Sequence, residues 1–83
     1  MSMFYIYVLK SERAEYHYIG STEDLKKRIQ EHNQGKTKSI KHLVPFKLLH
    51  CEAYETRTLA RKRELELKRN SFKKKELFDR LER

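Results

Sequence analysis

Residues 3–20, MFYIYVLKSERAEYHYIG, decide the architecture. Met3 to Lys10 is aromatic and β-branched, Ser11 to Glu15 is polar, and Tyr16 to Gly20 returns to the first pattern, which predicts two strands of an antiparallel hairpin. Side chains alternate across a strand, so Phe4, Ile6 and Val8 share one face while Tyr5, Tyr7 and Leu9 share the other. In the second strand Tyr16, Tyr18 and Gly20 fall together, opposite His17 and Ile19. The hairpin therefore collects its tyrosines on one side, a face expected to be partly polar and accessible.

Downstream, Thr22 is a candidate helix cap, Glu23 and Asp24 suit the positive end of a helix dipole, and Gly35 supplies a stop, which predicts a helix over Glu23 to Gln34. At 100° per residue Leu25, Ile29, His32 and Arg28 fall in one sector, so Arg28 and His32 should border the buried stripe. Lys36 to Val44 reads as a basic loop closed by Pro45, which drives its predecessor toward extended geometry. A third strand over Phe46 to Tyr54 follows. Thr56 or Thr58 then caps a helix reaching Arg69, and Ser71 caps another from Phe72 to Leu81. The expected fold is α+β: a three-stranded antiparallel sheet with flanking helices, in the order ββαβαα, over one domain spanning 1–83.

A chain of 83 residues is too short for a second core. With 37% hydrophobic against 39% charged residues the core is thin, yet its apolar residues are clustered as in a folded protein. The formal charge of +8 favours a polyanionic partner, nucleic acid first. No stretch approaches the roughly 20 apolar residues of a membrane span, and Met1 to Leu9 lacks the basic region and cleavage site of a signal peptide. A single cysteine, Cys51, excludes an internal disulfide and fits a reducing compartment, so a cytoplasmic location and no membrane partner are expected. By parity Cys51 shares a face with Leu49 and Ala53 and should be a small buried residue. His17, His42 and His50 have no metal-ligand spacing, which argues against zinc.

Glu64 is the most informative residue of the second helix. Ala60, Glu64 and Leu67 lie on one face, so a carboxylate interrupts the apolar stripe, and such a group needs a cation, hydrogen bonds or a metal. Two readings stay open from position alone: a metal ligand, or an ordinary ion pair with Lys68 at i+4 and Arg61 at i−3.

Tyr5-Ile6-Tyr7, Tyr18-Ile19-Gly20, Arg28, His32 and the segment ARKRELELK from Ala60 to Lys68, taken in order, resemble the GIY-YIG nuclease superfamily. The likeness is to its small single-domain members and to the N-terminal catalytic domain of the excision-repair incision subunit, and it spans nearly the whole chain. Tyr5 replaces the glycine of the first motif, which a strand interior accepts readily. The polar residue that many members carry after the metal helix has no counterpart, Asn70 being too close to Glu64.

The resemblance implies a metal-dependent DNA endonuclease using Mg²⁺ or Mn²⁺, acting on branched or damaged DNA in repair or recombination. Glu64 would be the metal ligand, Arg28 the clamp on the phosphate, Tyr7 the group that deprotonates or positions water, and Tyr18 the group that orders it. An ordinary tyrosine pKa near 10 makes prior ionisation at pH 7 cost roughly 4 kcal/mol. The metal, Arg28 and a neutral His32 that receives the phenolic proton are expected to lower that cost.

Lys36, Lys38, Lys41, Arg61, Arg63, Lys73, Lys74 and Lys75 are the candidate phosphate contacts, suited to structure-selective rather than sequence-specific binding, with a protein partner able to supply further specificity. The alternative reading is a non-catalytic nucleic-acid-binding or repair accessory module that keeps the fold.

Overall fold

A computed structural model of the chain describes residues 3–82, so Met1, Ser2 and Arg83 of the expected 1–83 domain lie outside the described residues. The order is β1 (Phe4–Ser11), β2 (His17–Thr22), α1 (Leu25–Asn33), a 3-10 turn (Lys38–Leu43), β3 (Phe46–Tyr54), α2 (Arg57–Arg69) and α3 (Ser71–Leu81). The sheet is antiparallel with β1 between β2 and β3, as expected of an α+β fold in the order ββαβαα. Among the described residues no helix is long and apolar enough to cross a membrane.

The alternation along β1 becomes two cores, one on each side of the sheet. Ile6, Val8 and Ile19 pack with Ala60, Leu67 and Leu77 from α2 and α3. Tyr7 and Leu9 pack with Ile40 and Phe46, flanked by Tyr18, Leu25 and Ile29. The tyrosine face is thus covered rather than accessible, because α1 and the 3-10 turn lie over it and leave Tyr7 only 1% exposed. Asn33 fastens this cover, its amide donating to the Phe46 carbonyl at 3.1 Å and its oxygen accepting the Phe46 N–H at 2.6 Å.

Several boundaries differ from the expectation. The first helix starts at Leu25, not Glu23, because Asp24 takes the extended cap conformation and accepts from the Lys27 N–H, while Thr22 receives the Asp24 N–H one step earlier. Gly35 ends the helix region with a φ of 76°, a conformation that favours glycine. The basic loop contains a 3-10 turn whose Ile40 is buried in the tyrosine-side core. Val44, before Pro45, is extended as foreseen. Thr56 caps α2 by accepting from the Leu59 N–H, and Asn70 rather than Ser71 caps α3. That cap gives Asn70 a structural role apart from Glu64.

Cys51 is exposed, contrary to its expected burial. A register shift beside Val8 and Leu9 breaks the parity of β3, so Leu49 joins the α2-side core while Cys51 pairs with Tyr7 on the other face, beyond the cover.

Arg63, expected on the phosphate-contact surface, instead turns inward. Its guanidinium donates to both Glu52 oxygens, at 3.0 and 3.3 Å, and to Glu66. His50 and Tyr54 also bond Glu52, at 2.8 and 2.6 Å. Burial, the largest single influence, pushes the Glu52 carboxyl up, but the bonds from Arg63, His50 and Tyr54 together bring it down from 4.5 to about 2. Below its ordinary pKa the unfolded chain binds the proton that the folded chain refuses. This stabilisation is therefore complete above pH 4.5 and is lost as pH falls through about 2. Urea titrations should show wild type losing on the order of 3 kcal/mol through this group over that acid interval. Arg63→Met should already be less stable by about 2 kcal/mol at neutral pH, with a shallower acid dependence.

Candidate active site

Tyr7, Tyr18 and His32 form one cluster beneath α1. Tyr7 projects from the central strand opposite Gly20 of β2, and its hydroxyl lies 2.9 Å from His32 Nε2. The Tyr18 ring centroid is 4.7 Å from that of His32 and 6.2 Å from that of Tyr7. His32 does not border the buried stripe but sits within it, at 0% exposure. Its Nδ1 lies 3.1 Å from Thr37 Oγ1. With Tyr7 donating to Nε2, the neutral ring carries its proton on Nδ1, facing Thr37. Burial, and then the charge of Arg28, hold His32 below its ordinary pKa and keep it neutral.

Arg28 stands one turn before His32, half-exposed, with Nη1 3.2 Å from Glu31 Oε1. Burial works against its charge, but the Tyr7 phenol and Glu31 outweigh burial and hold the guanidinium protonated.

The Tyr7 phenol does not follow the expectation of easier ionisation. Burial drives its pKa up, Tyr18 and Glu64 add to the rise, and the opposing pull of Arg28 is too weak, leaving the value at about 12. Prior ionisation at pH 7 would then cost roughly 7 kcal/mol, so Tyr7 is a protonated phenol, already bonded to a proton acceptor.

Gly20 is a site residue that motif reading did not assign a task. A methyl group there would lie 2.5 Å from the Tyr7 hydroxyl, 2.7 Å from its Cζ and 3.1 Å from Tyr18 Cε1. Glycine is required here by close approach, and the signal lay in the register that sets Gly20 across from Tyr7. Thr37 left no comparable trace in the sequence.

Glu64 approaches from the opposite face of the sheet, on α2, and is 3% exposed. Its Oε1 accepts from Ser21 Oγ at 2.7 Å and from Arg61 at 2.8 Å, and its Oε2 from Lys68 at 2.7 Å. Burial, the largest influence, raises its pKa, but Lys68, Ser21 and Arg61 together leave it lowered, so the carboxylate is ionised. No hydrogen bond joins it to Tyr7, Tyr18 or Arg28 among the described residues. The two halves meet instead across the edge strand: Gly20 touches the Tyr7 phenol on one side, and the adjacent Ser21 reaches Glu64 on the other.

Of the two readings left open for Glu64, the ion pairs with Arg61 at i−3 and Lys68 at i+4 are formed. Among the described residues no three His, Cys, Asp or Glu side chains gather around a common point. One carboxylate with a neighbouring hydroxyl suits a hard cation such as Mg²⁺ or Mn²⁺, which keeps much of its water and takes phosphate oxygens, and does not suit a zinc cage. Arg61 and Lys68, which pair with this carboxylate, have side chains 59% and 43% exposed.

The candidate phosphate contacts separate by their partners. Lys36, Lys38 and Lys41 are exposed around the turn that follows His32. Arg61 is engaged by Glu64, Lys73 by Glu66 at 3.2 Å and Lys75 by Asp79 at 2.8 Å, which removes the last two from a uniform basic surface.

Comparison with known proteins identifies the family. The family model described as the GIY-YIG catalytic domain matches residues 3–77, and the chain belongs to that family. A UPF0213 protein of Listeria monocytogenes serovar 1/2a is 40% identical over 78 residues, covering 93% of this chain and 86% of the relative. A UPF0213 protein of Staphylococcus saprophyticus is 38% identical over 76 residues, covering 90% and 92%. The solution NMR structure of a UPF0213 protein from Bacillus halodurans aligns with a TM-score of 0.58 at 32% identity, covering 96% of this chain and 85% of that one.

Proposed function

We propose that the chain is a divalent-metal-dependent endonuclease that hydrolyses phosphodiester bonds of DNA. The observation that carries this reading is the Tyr7–His32 hydrogen bond, held against Gly20, with Glu64 of α2 bonded to Ser21, the next residue of the same edge strand. Branched or damaged DNA is the substrate it would serve in repair or recombination, the net charge of +8 supporting a polyanion.

The attacking water passes a proton to the Tyr7 oxygen as the Tyr7 hydroxyl proton moves to His32 Nε2, so no free phenolate forms. The water oxygen bonds to phosphorus, the bond to the leaving oxygen breaks, and that oxygen takes a proton from solvent. Arg28 neutralises charge on the nonbridging oxygens, and Tyr18 orders the water. Mg²⁺ or Mn²⁺, held by Glu64 with water and substrate oxygens, would supply Lewis-acid polarisation of the phosphate.

Incubation of supercoiled and branched DNA with Mg²⁺, Mn²⁺ or chelator tests the reading. Cleavage should require the cation and fall by about 10²- to 10³-fold in Arg28→Ala. Cutting that persists in chelator, or an unimpaired Arg28→Ala, would reject it.

One observation favours the rival reading of a non-catalytic nucleic-acid-binding module: Glu64 is already satisfied by Ser21, Arg61 and Lys68. If the carboxylate is a metal ligand, Lys68 competes with the cation, and Lys68→Met should bind Mn²⁺ several-fold more tightly by electron paramagnetic resonance without DNA. Unchanged or weaker Mn²⁺ binding in Lys68→Met would support the module instead.

A further inference from the structure

An open cleft of about 440 Å³ runs along the outer edge of β2, walled by Tyr16, His17, Tyr18, Lys68, Lys74 and Phe78. Two of these residues belong to the surroundings of the candidate site. Tyr18 lies against His32, and Lys68 bonds Glu64, so the cleft opens directly beside the proposed reaction centre.

The lysine run of α3 is divided by its neighbours. Lys73 pairs with Glu66 and Lys75 with Asp79, whereas Lys74 is half-buried, faces the cleft and makes no ion pair among the described residues. A half-buried ammonium without a counter-charge attracts an anion. Phe78, one turn further along α3, stacks on His17 with ring centroids 4.2 Å apart and planes at 26°. Cation and aromatic rings within one groove are the combination that holds a nucleotide, phosphate on the lysines and base against the rings. The volume falls within the range of roughly 300–1,000 Å³ that small-molecule sites occupy.

Negative charge confines the orientation. Glu15 also lines the cleft, with a side chain 87% exposed and its carboxylate 3.7 Å from Lys10. Glu82 lies 2.5 Å from His17. A phosphate is therefore repelled at the His17 end and drawn to Lys74.

We propose that this cleft is a nucleotide subsite: it holds the nucleotide adjoining the scissile phosphodiester, its phosphate on Lys74, with Lys68 at the rim beside Glu64, and its base against His17 and Phe78. The inference rests on the phosphodiesterase reading and names where that substrate's neighbouring nucleotide sits.

The test is a ¹⁵N-resolved NMR titration of the full chain with thymidine 3′,5′-bisphosphate in chelator, where cleavage plays no part. Shifts should concentrate at 16–19, Lys68, Lys74 and Phe78. Lys74→Glu should weaken binding by about tenfold or more and Lys75→Glu by less than about threefold. Shifts centred on the turn at 38–41, or equal losses in Lys74→Glu and Lys75→Glu, would overturn the subsite. Wild-type cleavage of DNA without any bisphosphate shift in the cleft would overturn the subsite alone and leave the nuclease reading standing. Bisphosphate binding at the cleft by a chain that cuts no DNA would support the subsite and reject the nuclease reading.

Discussion

Glu64→Gln should leave a folded protein whose DNA cleavage is reduced on the order of 10³-fold, the scale of losing a principal charge-stabilising group at a reacting phosphate. The glutamine side chain keeps the size of the glutamate and can still accept from Ser21, but it lacks the negative charge that would hold a hard cation. Stability should change little. Arg61 and Lys68, left without their carboxylate, are more than two-fifths exposed and gain hydration in exchange. Matching far-ultraviolet circular dichroism and thermal melts, set beside cleavage assays over a range of Mn²⁺, separate the chemical loss from a folding defect. A folded variant that cuts at the wild-type rate would remove Glu64 from the reaction and leave its ion pairs as its whole role.

Gly20→Ala should reduce cleavage by about 10²-fold, although it adds only a methyl group to an edge strand far from any charge change. The new carbon would lie 2.5 Å from the Tyr7 oxygen and 2.7 Å from Tyr7 Cζ, both inside van der Waals contact, and 3.1 Å from Tyr18. Relief requires the Tyr7 ring to move, and that motion breaks the 2.9 Å contact between phenol and His32. Misplacement of a reacting group by about 1 Å is worth roughly that factor in rate. Because the damage acts through the phenol, Gly20→Ala combined with Tyr7→Phe should lose little more than Tyr7→Phe alone. Additive losses would show instead that the methyl group disturbs the strand as a whole.

The parts of this molecule that were readable from its residues are those fixed by short-range periodicity. The alternation from Phe4 to Leu9 assigned Phe4, Ile6 and Val8 to one core and Tyr7 and Leu9 to the other, and the four-residue spacing put Arg28 and His32 on the same side of α1. What escaped depends on chain elements meeting. Thr22 and Asp24 are both good caps, and only the extended backbone at Asp24 selects between them. Counting by twos buried Cys51, and a register shift beside Leu9 undid the count. Three consecutive lysines look alike until Glu66 and Asp79 claim two of them. Glu64 was legible as an acid in an apolar stripe, but not its approach from the far face of the sheet, because nothing local encodes which side of β2 a helix forty residues later will cover. The rise of Tyr7 to about 12 follows from the same cause: burial under α1 and the 3-10 turn is a tertiary outcome.

In the proposed mechanism a phenol on one face of the sheet and a carboxylate on the other serve one reaction centre at the β2 edge. Paramagnetic broadening by Mn²⁺ in a ¹⁵N-resolved spectrum of the full chain tests it without requiring turnover. Substoichiometric Mn²⁺ should broaden the amides of Gly20, Ser21 and Glu64 first, together with those of Tyr7 and Tyr18, and Glu64→Gln should abolish this pattern. Broadening centred on Glu52 and its partners in β3, or a pattern at Gly20 and Ser21 that survives Glu64→Gln, would contradict it.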